Sequence, residues 1–175
     1  IRQLLEEAYA AAHQRSVQEY MPSLGGVWNG LKRAGEDWSA ETAVNKKTLT
    51  EIVKKATRVP EGFSAYRKLK RQLDARVGMV EGKTPMDWGC AEMLAFGSLL
   101  LEGTSVRLSG QDSQRGTFSH RHAVWHDVKT GKMYFPLANL AEEQGNFTVL
   151  NSMLSELAVL GFEYGISSAD PWRLT

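Results

Sequence analysis

The 175-residue sequence balances 21 Lys+Arg against 20 Asp+Glu for a formal charge of +1, which argues against a nucleic-acid or anionic-membrane partner. Hydrophobic residues make up 42% and charged ones 23%, ordinary globular values, and no window approaches the ~18 uninterrupted apolar residues of a membrane helix. The lone cysteine, Cys90, excludes an intramolecular disulfide framework and a cysteine-based zinc cage and fits a reducing compartment. The length suits one domain of usual size, or one and a fraction.

From Ile1 to Tyr20, Leu4, Leu5, Ala8, Ala12 and Val17 recur at helical spacing until Pro22, Gly25 and Gly26 end the pattern. Residues 22–42 hold Gly25, Gly26, Gly30 and Gly35 with Trp28 and Trp38 between them, an ordered loop expected to be pinned by its aromatics. A second helix is predicted over Asn45 to Thr57 on Leu49, Ile52, Val53 and Ala56, punctuated by Val59-Pro60. A third is predicted over Phe63 to Met79 on Phe63, Tyr66, Leu69, Leu73 and Val77. After Gly82 the apolar density rises, and a domain boundary is expected near Val80 to Lys83.

Beyond it, Asp87 to Glu102 reads as a helix with Gly89, Ala91, Ala95, Gly97 and Ser98 on a close-packing face, stopped by Gly103. A strand over Ser105 to Leu108 leads into a polar loop, Ser109 to Thr117. His122 to His126 and Met133 to Pro136 flank a hairpin turn at Lys129 to Lys132. Phe147 to Asn151 is a further strand, Glu156 to Tyr164 a helix, and Arg173 onward a last strand. Alternating strands and helices over 83–175 argue an α/β layer with a mostly parallel sheet. The helical pattern is already running at Ile1, and a strand is only starting at Trp172 to Thr175. The expectation is a piece of a longer polypeptide, so the lack of a leader says little.

The densest polar cluster lies in residues 109–122, where Gln111, Asp112, Arg115, His120 and His122 follow a strand. Ligands of open α/β sheets bind at the carboxyl ends of strands. Gln111 and Asp112 are therefore candidate cofactor contacts, and His120 and His122 candidate catalytic groups, which share one side if the segment is extended. The competing account is a polar loop satisfying its own turns. Metal binding by His120, His122 and His126 matches no zinc signature, and no metal ligand set is expected. Glu156, after Ser152 and Ser155, is either a site carboxylate or a first-turn acid stabilised by the helix dipole. Glu163, two turns on, reads as a possible surface charge. The run Arg67-Lys68-Leu69-Lys70-Arg71 reads as a solvated helix face, and Cys90 as a packed small hydrophobe.

The blocks DWGCAEMLAFGSLLLEG (87–103), VRLSGQDSQRGTFSHRHAVWHD (106–127) and LSELAVLGFEYG (154–165) resemble the thiamine diphosphate-dependent dehydrogenase subunit of the 2-oxoglutarate dehydrogenase complex. TRVPEGFSAYRKLKRQLDAR (57–76) is similar to the same family's helical linker, and residues 1–40 match least. The resemblance implies an interdomain linker region over 1–82, then over 83–175 the start of a transketolase-type pyrimidine-binding domain. It places Glu156, with Gly161, as the Glu-x-x-x-x-Gly carboxylate that hydrogen-bonds the aminopyrimidine ring nitrogen. It places Leu154 against the cofactor, and His120 and His122 near the substrate, the second suited to acid/base work. The implied activity is oxidative decarboxylation of 2-oxoglutarate with succinyl transfer to lipoamide. A homologous acid such as 2-oxoadipate, or a non-catalytic scaffold copy, are the alternatives. The implied cofactors are thiamine diphosphate and magnesium, with the diphosphate and metal ligands outside this chain. The implied partners are a second copy and a lipoyl-bearing dihydrolipoyl succinyltransferase, in bacterial cytoplasm or a mitochondrial matrix. A piece of this length alone is expected neither to turn over nor to bind cofactor tightly.

Overall fold

The computed structural model describes residues 2–14, 26–28, 35–172 and 174. Its contacts divide the chain into two compact units, Ile1–Ala40 and Glu41–Thr175. The first holds helix α1, Arg2–Gln14, and a single 3-10 turn, Gly26–Trp28. Exposed i,i+4 contacts, Arg2 with Glu6 and Gln3 with Glu7, run along α1. The predicted continuation from residue 15 to Tyr20 lies outside the described residues. Trp38 is 67% exposed, so it does not pin its loop as expected.

In the second unit, helix α2, Lys46–Ala56, starts where Asn45 Oδ1 accepts the Thr48 N–H at 2.9 Å, and it buries Ile52, Val53 and Ala56. Helix α3, Arg67–Val80, begins four residues later than the apolar spacing predicts. Gly62 takes φ +75°, and the Ser64 N–H is drawn 2.7 Å onto Asp127 Oδ2, so the segment from Phe63 to Tyr66 stays out of the helix. Phe63 packs instead on the rings of Trp125 and Tyr134. Helix α4, Trp88–Leu101, is capped by Asp87, whose Oδ1 accepts the Cys90 N–H at 2.7 Å, and is closed by Gly103 at φ +86°. At Gly97 a Cβ would lie 2.5 Å from Ile52 Cγ2, so the glycine lets α2 settle onto α4.

One core therefore joins Ile52, Val53, Ala56 and Val80 to Cys90, Met93, Leu94, Leu100, Val106, Leu137 and Leu140. Packing runs straight through residues 80–83, where composition changes, and the contacts part at 40/41. Cys90 is fully buried in this core, and burial raises its thiol pKa.

Strand β1, Val106–Gly110, runs parallel to β4, Phe147–Asn151, in register from Val106 opposite Phe147 to Gly110 opposite Asn151. On the other side of β1, Leu174 forms a parallel bridge to Val106, which is the described part of the last predicted strand. The short strands β2, Trp125–His126, and β3, Met133–Tyr134, form the expected hairpin. Asp127 holds its turn by accepting the N–H groups of Lys129 and Thr130 at 2.8 Å each. Helix α5, Glu156–Ala169, runs past the predicted end at Tyr164 and buries none of its residues. Among the described residues no helix is long and apolar enough to cross a membrane.

Candidate active site

Because β1 and β4 are parallel, their carboxyl ends open side by side, and the chain ties them together there. Ser152 N–H donates to the Gly110 carbonyl at 2.7 Å, and Gln114 N–H to Asn151 Oδ1 at 3.0 Å. An apolar cavity of about 340 Å³ lies at this edge, lined by Ser109, Leu150, Met153, Leu154, Val159 and Phe162 among others. Glu156, exposed, is the first residue of α5, whose N-cap Ser155 accepts the Ala158 N–H at 3.4 Å. Gln111 Nε2 donates to the Leu154 carbonyl at 3.3 Å. Leu154 thus lines the cavity, Gln111 is bonded to its carbonyl, and Glu156 follows two residues later without its side chain lining the cavity.

Asp112 and His122 belong to a second cavity of about 230 Å³, with Tyr66, Gln114, Arg115, His126 and Asn151. Asp112 sits at φ +52° and accepts from Arg115 Nε at 3.1 Å. His120 does not join them. The segment is folded rather than extended, with Ser119 at φ +55° and His122 at φ +48°. It turns His120 out beside Phe118, where Gly116 leaves room for the ring. The expectation that the two histidines share one side therefore fails on backbone geometry.

His122 is 5% exposed, with the Tyr66 hydroxyl 3.3 Å from Nε2 and 3.5 Å from Nδ1. Burial, seconded by the positive charge of Arg76, pushes its pKa down to about 4. The ring is therefore neutral near pH 7. The unfolded chain takes up this proton below its ordinary pKa of 6.5, while the folded chain resists until about pH 4. Stability is expected to fall across that window by about 3 kcal/mol. Urea unfolding at both ends of the window checks this: His122→Gln should flatten the dependence, and an equal loss in both proteins would sink the assignment.

The histidine segment rests on α3 and α4. Arg76, itself 5% exposed, donates from Nη2 to the carbonyls of His120 and Arg121 at 2.8 and 2.7 Å, and Gln72 donates to Ser119 O at 2.8 Å. Arg121 forms a two-pronged pair with Glu92 of α4, at 2.6 and 2.9 Å. At Gly89 any Cβ would overlap the His120 carbonyl oxygen. Among the described residues no three His, Cys, Asp or Glu side chains converge on a metal-sized site.

Residues 84–175 match the family profile of the transketolase pyrimidine-binding domain. The chain belongs to the transketolase pyrimidine-binding domain family. It is 49% identical over 164 residues to the 2-oxoglutarate dehydrogenase E1 component of Brucella anthropi, a match covering 90% of this chain and 16% of that protein. It is 45% identical over 170 residues to the protein of the same name from Rickettsia conorii, covering 97% and 18%. The Brucella ovis protein is 48% identical over 180 residues, covering 99% and 17%. The chain therefore spans less than a fifth of the length of these relatives.

The family profile begins at residue 84, yet Tyr66, Gln72 and Arg76 of the preceding segment touch the histidine loop of the pyrimidine-binding domain. The sequence reading missed these three, because α3 shows only an amphipathic stripe. It also treated Glu163 as a possible surface charge. The structure pairs Glu163 with Arg107 of β1 at 2.7 Å, both side chains less than 15% exposed, and this pairing holds the Glu163 carboxyl below its ordinary pKa. The heptad step from Glu156 to Glu163 was the available signal.

Proposed function

We propose that this chain is part of a thiamine diphosphate-dependent 2-oxoglutarate dehydrogenase of the E1 type. Residues 1–82 would be its linker region and 83–175 the start of its pyrimidine-binding domain. The observation that carries the reading is Glu156: a carboxylate at the start of α5, two residues after Leu154, which lines an apolar cavity at the carboxyl ends of parallel strands. The cavity suits a flat aminopyrimidine, with Leu154 and Phe162 as apolar walls and Glu156 as acceptor or donor for a ring nitrogen. Thiamine diphosphate, when bound, supplies the electron sink for loss of carbon dioxide from a 2-oxo acid.

The chain's own residues do the rest. Glu156 holds a proton toward the ring nitrogen, Leu154 excludes water from that face, and Gln111 fixes the backbone that carries Leu154. Asp112 braces Arg115 at the edge of the polar cavity. His122, neutral and hydrogen-bonded to Tyr66, would take up a substrate proton on its unprotonated ring nitrogen and return it. His120, exposed at the outer side of the loop, would meet substrate on approach. Diphosphate and magnesium would be held by residues outside this chain. A second copy, a lipoyl-bearing dihydrolipoyl succinyltransferase and a cytoplasmic setting complete the proposal; the relatives' shared name and their bacterial sources support it.

The test is decarboxylation of 2-oxoglutarate by the full-length gene product, followed with an artificial electron acceptor in the presence of thiamine diphosphate and magnesium. Cofactor-dependent turnover is expected. No turnover of 2-oxoglutarate under these conditions would overturn the proposal.

A further inference from the structure

Helix α5 buries none of its side chains, so something other than a packed apolar face must set its orientation on the sheet. The half-buried positions are Val159, Glu163, Ile166, Ser167 and Ser168, of which Val159, Glu163 and Ile166, spaced four and three apart, form one stripe. At the centre of that stripe the Glu163 carboxylate receives Arg107 Nη2 at 2.7 Å, Arg107 Nε at 3.1 Å from each oxygen, and the Ser109 hydroxyl at 2.6 Å. Arg107 and Ser109 are two apart on β1 and therefore present the same face to the helix. The Arg107 guanidinium also lies 5.6 Å from the centroid of Phe162. A planar fork held by a carboxylate on one edge fixes direction as well as distance.

Glu156 is seven residues before Glu163. In an α-helix that is about 10 Å along the axis and only about 20° around it, so whatever fixes the azimuth of Glu163 fixes that of Glu156. Two ties hold the chain just before the helix, Gln111 to the Leu154 carbonyl at 3.3 Å and the Ser152 N–H to the Gly110 carbonyl at 2.7 Å, and neither restrains rotation of the helix.

We infer that the Arg107–Glu163 pair is the positioning device of the site, aiming Glu156 by locking α5 onto β1. The inference rests on the reading of Glu156 as the aminopyrimidine carboxylate. Arg107 and Glu163 are positioning residues: neither lines the cavity that Leu154 lines.

The experiment compares Arg107→Met, Glu163→Gln and the exchanged pair Arg107→Glu with Glu163→Arg, in the full-length gene product. Glu163→Gln keeps the side-chain volume and carries the reading if Arg107→Met folds poorly. Each is measured by thiamine diphosphate affinity, by the circular-dichroism band of the bound iminopyrimidine, and by hydrogen exchange of peptides covering residues 156–169. Because α5 also carries Val159 and Phe162 of the cavity wall, the single variants should weaken cofactor binding about a hundredfold and abolish the band. They should speed exchange in 156–169 alone, and the exchanged pair should return affinity to within about tenfold of the parent. Unchanged affinity, band and exchange in both single variants would overturn the inference, as would an exchanged pair no better than the singles. A parent that binds no thiamine diphosphate would defeat the functional reading, while exchange in 156–169 would still decide whether the pair holds the helix.

Discussion

Replacing Glu156 by Gln in the full-length gene product is expected to lower the decarboxylation rate by about a thousandfold, within the range by which a positioned proton-transfer group accelerates reactions. The substitution keeps shape and loses only the titrating carboxyl. Thiamine diphosphate affinity should therefore change far less than turnover, and the apolar cavity beside Leu154 should be undisturbed. The competing account makes a sharply different forecast. An exposed acid in the first turn of a helix contributes about 0.3–1 kcal/mol through the dipole, so on that account the variant loses a little stability and no activity. Rate and unfolding midpoint measured together separate the two. A variant that turns over 2-oxoglutarate at the parent rate would return Glu156 to the role of helix starter.

Gly89→Ala is expected to destabilise the chain by about 2 kcal/mol, although alanine is the better helix former by about 1 kcal/mol. The new methyl would overlap the His120 carbonyl oxygen and stand 3.2 Å from its carbon. Both are backbone atoms held from behind by Arg76, so the loop cannot yield without lengthening that hydrogen bond. Overpacking of this kind costs about 1–3 kcal/mol and the strained bond about 1 more, which together exceed the helical gain. Gly78→Ala in α3 is the control, since its Cβ meets only Thr84 Oγ1 at an ordinary 3.8 Å. It should stabilise by a few tenths to about 1 kcal/mol. Thermal unfolding checks both, and a Gly89→Ala protein as stable as the parent would mean the loop is not seated as described.

What the sequence disclosed followed from periodic signals. The helices over Asn45 to Thr57 and Asp87 to Glu102 were legible from their apolar and small-residue patterns, and the structure caps them with the Asn45 and Asp87 side chains. The strand over Phe147 to Asn151 was bounded correctly for the same reason: its signal is local. The start of α3 was misplaced because Phe63 and Tyr66 keep the helical spacing of Leu69 and Leu73. They leave the helix for partners distant in sequence, Trp125 and His122. The histidine loop failed differently. Alternation at i, i+2 predicts a shared side only for extended backbone, and Ser119 and His122 adopt left-handed conformations that neither residue type announces. Arg107 and Glu163 stand 56 residues apart, beyond any periodic argument; only the parallel register that lays α5 beside β1 joins them.

The shared core of α2, α3 and α4 has a consequence for anyone cutting or splicing this chain. The stretch recognised by descent and the stretch that folds together are different objects here, since the first begins at 84 and the second at 41. A graft taken at the inherited border would carry Leu100 and Leu140 away from Ile52 and Val53, and would leave the loop carbonyls of His120 and Arg121 facing water where Arg76 had been. Chimeras between relatives should therefore exchange the helices before the border together with the strands after it. Variation accepted in α3 is then filtered by what the histidine loop tolerates.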